Sequence, residues 1–380
     1  MPRGRDCAGH PRTGRIALTT TFSSWLASRC AEQVELAPGV ATPRDFGDAR
    51  REHLATRRAG GLFDFSFMGC TAIRGPDALA CVNALQTRCL DAMQPGRIAY
   101  TLLLRNDGSV LNDATVWCLE RNLFWVFTGR RADCNHIRQH SAQFNVESAD
   151  PSESHAVIAV QGETSLRAIE QCFPGAGLAA LRYYGFQRMQ LAGSECWIAR
   201  LGYSGESGYE LVVADAAASA LWQALYDRGA DAGMLECGFD AIDSLRIEAG
   251  HILFTCELAS EIGPFELRLS RFVDIDRHEF RGKEALQAQR RQEPRRLLAG
   301  LLPAHGDEAE PSVPKHLADG SAVMTSVCWS PLLERRLGIG FVATYDAHPG
   351  AMVRLRSGGR ARVARLPFYD PAKLLPRRGR

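Results

Sequence analysis

The sequence predicts an α+β fold: two related α+β halves followed by a small C-terminal β-barrel. Strand-like and helix-like runs alternate with hairpin turns between about residues 51 and 291. A second unit resembling the first begins near His155, although no strict repeat is visible at residue level. Beyond a charged, Pro- and Gly-rich stretch, short β-like runs separated by turns fill the C-terminal part.

The elements follow in order. Residues 1–50 show weak periodicity and are expected to be a loosely structured lead-in. Their first fifteen residues carry four arginines, and IALTTTF is too short and polar for a secretory core. A floppy leader or an overlong start fits them, with a basic transit peptide as the alternative. In the first half, residues 51–150, Glu52 to Arg58 reads as a helix stopped by Gly60-Gly61, and Leu62 to Met68 reads as a strand. Gly75-Pro76-Asp77 opens a helix through Leu90, with proline tolerated in the first turn. Ile98 to Leu104 and Val110 to Leu119 are strands joined at Asn106-Asp107-Gly108. A strand from Asn122 to Thr128 and an amphipathic helix near Ala132 to Phe144 complete the half.

The second half, residues 151–291, offers the strands His155 to Val160, Cys196 to Leu201 and Tyr209 to Val213. A helix from Thr164 to Phe173 follows the first strand, and Asp215 is expected to cap a helix from Ala216 to Arg228. Residues 292–380 hold a linker or loop from Gln292 to Lys315, then β-runs at Val323–Trp329, Leu337–Val342, Met352–Leu355 and Ala361–Leu366. The basic tail from Pro376 is expected to be disordered.

Composition excludes several classes. A chain of 380 residues suggests two or three domains, and 46% hydrophobic with 23% charged residues is an ordinary globular mixture. A net charge of +2 provides no global field for nucleic acid or a membrane surface, and no apolar run is long enough to span a bilayer. The 12 cysteines are scattered without a CxxC pair, several of them in apolar runs. They read as small buried hydrophobes in a reducing, cytoplasmic setting.

Two places could carry chemistry. In VLNDATVW, alternation puts Leu111, Asp113, Thr115 and Trp117 on one strand face. A carboxylate on a largely apolar face has a raised pKa and suits proton transfer near neutral pH. The plainer alternative is a hairpin-flank Asp accepting backbone N–H groups. In YSGESGYE, two glycines permit a tight loop, bracketed by Tyr203 as a stacking surface and Glu210 as an acceptor for a planar ligand's paired N–H groups. Its plainer alternative is a hairpin with an exposed Glu. Cys134, His136 and His140 share a predicted helix, but the polar surroundings favour a solvated face over a metal site. His251 fits a pocket lining or a core position equally well, and no GxSxG elbow supports a hydrolase.

The segments EHLATRRAGGLFDFSFMG, RGPDAL, PGRIAYTLLLRNDGSVLNDATV, LGYSGESGYELVV, DSLRIEAG, FRGKEAL and LPFYDP occur in the order and spacing of one family. The chain resembles the aminomethyltransferases: the T-protein of the glycine cleavage system and its relatives. Those relatives include folate domains of sarcosine and dimethylglycine oxidising enzymes and tetrahydrofolate-dependent demethylases. The resemblance implies two ferredoxin-like halves and a small β-barrel around a central channel that holds tetrahydrofolate. It implies Asp113 as the catalytic residue, with Met68, Tyr100, Tyr184, Tyr203 and Glu210 contacting the folate. The activity implied is transfer of a one-carbon unit, aminomethyl or methyl, from a small amine or methylated donor to reduced folate. A carrier protein or an oxidase subunit is the partner such enzymes use.

Departures from the glycine-cleavage pattern are Ile242 before Asp243, Phe254-Thr255-Cys256-Glu257, and Ser270-Arg271-Phe272-Val273-Asp274. They lean towards the oxidase-linked or demethylase branch. The alternative function is a folate-binding scaffold assisting iron–sulfur or tRNA maturation. The KGCYxGQE-like motif of that branch has no counterpart at His251-Ile252-Leu253-Phe254.

Overall fold

The computed structural model describes residues 21–37, 40–258, 261–304 and 322–378. The basic lead-in of residues 1–20, part of the expected linker and the last two residues of the tail lie outside the described residues.

Two antiparallel-rich sheets pack face to face. One has five strands, in the order Arg97–Leu104, Val110–Glu120, Leu123–Thr128, Gly69–Arg74 and Glu147–Ala149. The other has six: Phe186–Leu191, Ser194–Ala199, Gly208–Ala214, His155–Gln161, Gly61–Asp64 and Leu235–Glu236. Trp117, Trp125 and Phe127 of the first meet Val157, Trp197 and Val212 of the second in one buried cluster. The outer face of the five-stranded sheet is covered by the helices Ala78–Leu85 and Asp133–Ser141, which bury Cys81, Val82 and Ile137. The helices Thr21–Ala27, Ser165–Cys172 and Asp215–Ala230 cover the outer face of the six-stranded sheet. Each sheet is therefore apolar on both faces, one for its helices and one for the other sheet.

The C-terminal part forms a third sheet of five antiparallel strands, ordered Val323–Ser330, Arg335–Ala343, Arg296–Pro303, Arg360–Ala364 and Met352–Arg354. It is an open order whose two edges meet in a single parallel bridge, Ala322 to Leu355. It packs on the helix Phe239–Glu248 and on the 251–280 segment through Leu298, Leu337, Ile339 and Phe341.

Several expectations need correction. The expected linker holds Arg296–Pro303, the central strand of the third sheet; its flanking charges hid the apolar core LLAGLLP. The expected strand Leu62–Met68 ends at Asp64, and Gly69–Arg74 is a separate strand. Gly61–Asp64 pairs with His155–Gln161, so a strand from the first block of sequence completes the sheet of the second. The helix opened by Gly75-Pro76-Asp77 stops at Leu85 rather than Leu90. Asp215 does not cap its own helix: its carboxylate accepts from the backbone N–H groups of Thr21 and Phe22, at 2.9 and 3.2 Å, and so caps another. The lead-in is structured from Thr21, with Phe22 and Leu26 fully buried and the strands Gln33–Ala37 and Val40–Pro43 paired antiparallel. The tail is ordered as far as Arg378. Among the described residues no helix is long and apolar enough to cross a membrane, and every described cysteine is free.

Candidate active site

The hairpin Arg97–Leu104 and Val110–Glu120 sets Tyr100 opposite Thr115 and Leu102 opposite Asp113. Tyr100 is thus the diagonal neighbour of Asp113 on the face that meets the other sheet, within reach of a long aromatic side chain. Its hydroxyl donates to Asp113 Oδ2 at 2.9 Å. The opposite strand face points to the helices, where Ala114, Val116 and Cys118 are buried. There Asn112 donates to Asp133, which also pairs with Arg130 at 2.7 Å. Asn112 Oδ1 accepts from the Asp113 backbone N–H at 2.9 Å, so the carboxylate stands on a strand pinned from behind.

Burial pushes Asp113 up to about 6, even with the Tyr100 hydroxyl and a backbone N–H favouring its ionised form. Burial also holds the Tyr100 hydroxyl well above its ordinary range, and the charges of Asp113, Tyr184 and Tyr203 add to that. Tyr184 is raised by burial first, then by Tyr183, Glu210 and Asp113. Tyr100, Asp113, Tyr184 and Tyr203 therefore surround one region, and Glu210 acts on it from the strand Gly208–Ala214. All four of the first group keep partial exposure despite their depth. Met68, Tyr184 and Tyr203 pack on the cluster between the two sheets.

Glu210 is 6% exposed. Its carboxylate makes no hydrogen bond or ion pair among the described residues, and burial alone pushes it up to about 8. A buried acceptor left without a donor is costly, and such orphaned groups are rare in finished cores. The loop before it is held by close packing. A Cβ on Gly208 would lie 2.4 Å from the Gln161 amide, and Gly205 has φ +84°. Ser204 donates to that Gln161 side chain at 2.8 Å. Tyr203 donates to the Ile252 carbonyl and stacks on His251, with ring centroids 5.6 Å apart. Burial, with the nearby cations Lys373, Arg246 and Arg57, pushes His251 down to about 3.

Two buried ionic networks beneath the site left no trace in the sequence pattern. Arg57 pairs with Glu248 and Glu206, both at 2.8 Å, and stacks on Tyr369 at 4.1 Å. Arg246, fully buried, pairs with Asp243 at 2.7 Å and Glu257 at 3.0 Å and donates to Ser326 at 2.8 Å. Glu257, within the departing 254–257 stretch, is thus a structural partner, and Ile242 lies in the apolar core. The Cys134, His136 and His140 helix has ordinary contacts. Cys134 is buried against the Cys70 carbonyl, His140 sits on the Cys81 carbonyl at 3.1 Å, and His136 lies 3.1 Å from Arg281. A surface cleft of about 650 Å³, lined by Phe265, Asp274, Arg277 and Arg290 among others, contains none of the six expected site residues.

A carboxylate near neutrality beside a buried, unpartnered one is the chemistry of proteins that bind a hydrogen-bonding ligand and move protons on it. Comparison with known proteins supplies the family. Residues 22–277 match the family described as GCVT N-terminal domain. Aminomethyltransferase from Moorella thermoacetica is 35% identical over 90% of this chain and 95% of the relative. Aminomethyltransferase from Streptomyces coelicolor is 35% identical over 88% and 93%. The chain belongs to the aminomethyltransferase family. The crystal structure of glycine cleavage system aminomethyltransferase T from Bartonella henselae shares the fold, with a TM-score of 0.80 and 23% identity over 92% of this chain and 97% of that one.

Proposed function

We propose that this protein transfers an aminomethyl group to tetrahydrofolate. The observation that carries the reading is the buried Glu210 carboxylate, unpartnered among the described residues and facing the same aromatic region as Asp113. It suits the paired N–H groups of a pterin, which a carboxylate accepts as two charge-assisted bonds. Tyr100, Tyr184 and Tyr203 would wall the ring, and Met68 would pack flexibly against it. When bound, reduced folate supplies the nitrogen that accepts the carbon. Asp113 orients that nitrogen and handles its proton while the donor's amine departs. A group at about 6 is ionised at neutral pH yet basic enough to take a proton. Holding both reactants in one enclosed space supplies much of the rate.

The ferredoxin-like halves, the barrel and the channel between them belong to this reading, as does the division near residues 150 and 291. The edge-to-edge bridge of Ala322 and Leu355 supports a barrel-like closure of the third sheet. The reading takes the donor from the relatives, both of which carry the aminomethyl name, in preference to a demethylase or oxidase-linked branch. The partner is then a carrier protein that presents the aminomethyl group. Asp113→Asn is expected to keep folate affinity and to lose turnover by about 10²- to 10⁴-fold, the usual contribution of a positioned acid–base group. Methylene-tetrahydrofolate formation alongside equilibrium binding checks it, and near-parental turnover would remove Asp113 from the mechanism.

A further inference from the structure

The strand that carries Asp113 is irregular just where the carboxylate projects. Its ladder with Arg97–Leu104 slips: Leu103 stands opposite Asn112 and Leu104 opposite Val110, so Leu111 is an extra residue. The ladder on its other side stops at Ala114, opposite Thr128. A bulged strand bends and leaves backbone groups without ladder partners, and whatever satisfies those groups sets the aim of the neighbouring side chain. Here side chains satisfy them. Arg130 Nη2 donates to the Leu111 carbonyl at 3.4 Å, and Asn112 Oδ1 accepts from the Asp113 backbone N–H at 2.9 Å.

These two side chains are tied together through Asp133. Asn112 Nδ2 donates to Asp133 Oδ2 at 2.5 Å, and Arg130 holds the same carboxylate through Nη2 to Oδ1 at 2.7 Å and Nε to Oδ2 at 3.4 Å. Asn112 is fully buried and Asp133 is 3% exposed, behind a strand face otherwise lined by Ala114, Val116 and Cys118. An apolar side chain at 112 would serve that face, whereas an amide and a carboxylate cost desolvation that only their bonds offset. The turn that carries Arg130 is itself fixed. Thr128 Oγ1 donates to the Arg130 carbonyl at 2.9 Å, and a Cβ on Gly129 would stand 2.5 Å from the Phe254 ring. The chain of bonds therefore runs from a tightly packed turn to the peptide N–H of Asp113 itself.

We propose that Arg130, Asp133 and Asn112 are positioning residues that act through the Asp113 backbone and aim its carboxylate at the reacting nitrogen of the acceptor. The inference rests on the role given to Asp113 and adds the device that sets its aim. Asn112 points to the helix side of the sheet, opposite to Asp113, so binding of the acceptor does not depend on it. A displacement of about 1 Å at a reacting group costs up to about 10²-fold in rate.

The test measures kcat for methylene-tetrahydrofolate formation and affinity for 5-formyltetrahydrofolate in variants of the full-length protein, with a thermal melt to show which are folded. Asn112→Leu removes both amide bonds and should lower kcat by about 10- to 100-fold while folate affinity stays within a few-fold of the parent. Arg130→Gln, at a partly exposed position, should lower kcat several-fold with the same unchanged affinity. Asn112→Asp combined with Asp133→Asn reverses the polarity of the chain and keeps its bonds: the carboxylate accepts the Asp113 N–H, and the amide links it to Arg130. That exchange should recover kcat to within about threefold of the parent. Asn112→Leu added to Asp113→Asn should cost nothing further, because the three residues work only through that carboxylate. Parental kcat in Asn112→Leu, or the same loss with and without Asp113→Asn, overturns the positioning role and leaves Asp113 its own. A fall in folate affinity that matches the fall in kcat shows a general loss of shape and likewise refutes it. If Asn112→Leu does not fold, the other two variants decide: a folded exchange variant with kcat down tenfold or more, or Arg130→Gln at parental kcat, refutes the proposal. Near-parental turnover in Asp113→Asn overturns both the proposal and the reading it rests on.

Discussion

Removing one oxygen, by Tyr100→Phe, tests the electrostatics of the site at its centre. The Tyr100 hydroxyl donates to Asp113 Oδ2 at 2.9 Å, and Asp113 stands at about 6 with that bond in place. A hydrogen bond to a charged acceptor contributes about 1.5–3 kcal/mol, and about 1.4 kcal/mol corresponds to one pKa unit. The bond favours the ionised form, so its loss raises Asp113 by about 1 to 2 units, to roughly 7 to 8. With a group at about 6, roughly nine-tenths of the sites are ionised at pH 7; with one near 7.5, roughly a quarter remain so. If ionised Asp113 is the working base, kcat/KM at pH 7 falls about fourfold and the deficit disappears at high pH. The assay is methylene-tetrahydrofolate formation across pH, with kcat/KM reporting the free enzyme. An acid limb that stays in place, or a loss of equal size at every pH, would refute the assignment of Asp113 and of its partner.

Three further outcomes are expected. Glu210→Gln should weaken folate binding by about 10- to 100-fold, measured by titration, because one charge-assisted pair is lost. The same variant should melt at the parent's temperature at pH 4 and above it at pH 8.5. Folded Glu210 titrates near 8 against an ordinary 4.5, so the folded protein holds the proton longer and stability falls as pH rises between those values. Equal melting of the two proteins at pH 8.5 would contradict the burial argument. Arg246→Ala should cost about 3–5 kcal/mol in urea denaturation, since it leaves Glu257 buried and unpaired. Adding Glu257→Leu should recover part of that, and a loss under 1 kcal/mol in the single variant would show that the network is dispensable.

What the sequence revealed follows from the range of the forces involved. Strands and helices with strong periodicity, such as Val110–Glu120 and Asp133–Ser141, were legible because burial alternates locally. The face of Asp113 could be read the same way, since period two fixes it relative to Trp117. Arg296–Pro303 was not legible, because a central strand is apolar on both faces and its charged flanks resemble a loop. Nor was the pairing of Gly61–Asp64 with the later sheet, a contact between residues about a hundred positions apart. The motif resemblance pointed to the six site residues. The donor relation of Tyr100 to Asp113 and the lack of a partner for Glu210 needed coordinates. Nothing in the local pattern of Arg57 or Arg246 points to a partner, and only the fold shows them facing Glu248, Glu206 and Glu257.

Those two arginines explain how a site with two destabilised carboxylates keeps its shape. Buried ion pairs seldom add net stability over apolar packing, so their use here calls for another role. Both networks converge on the helix Phe239–Glu248. Arg57 joins it to the helix Ala49–Arg58 through Glu248, while the Glu248 backbone carbonyl accepts from Phe368 and Tyr369. Arg246 joins it to the third sheet through Ser326 and to the His251 carbonyl, directly beside the ring that stacks on Tyr203. One helix thus sets the positions of His251, the C-terminal segment and, through Glu206, the loop that leads to Glu210. Directional charge-assisted bonds fix such positions more narrowly than apolar contacts of the same area, which tolerate sliding. Glu210 can then remain without a donor in the absence of ligand, because collapse of the walls to meet it would break bonds that are individually costly to lose.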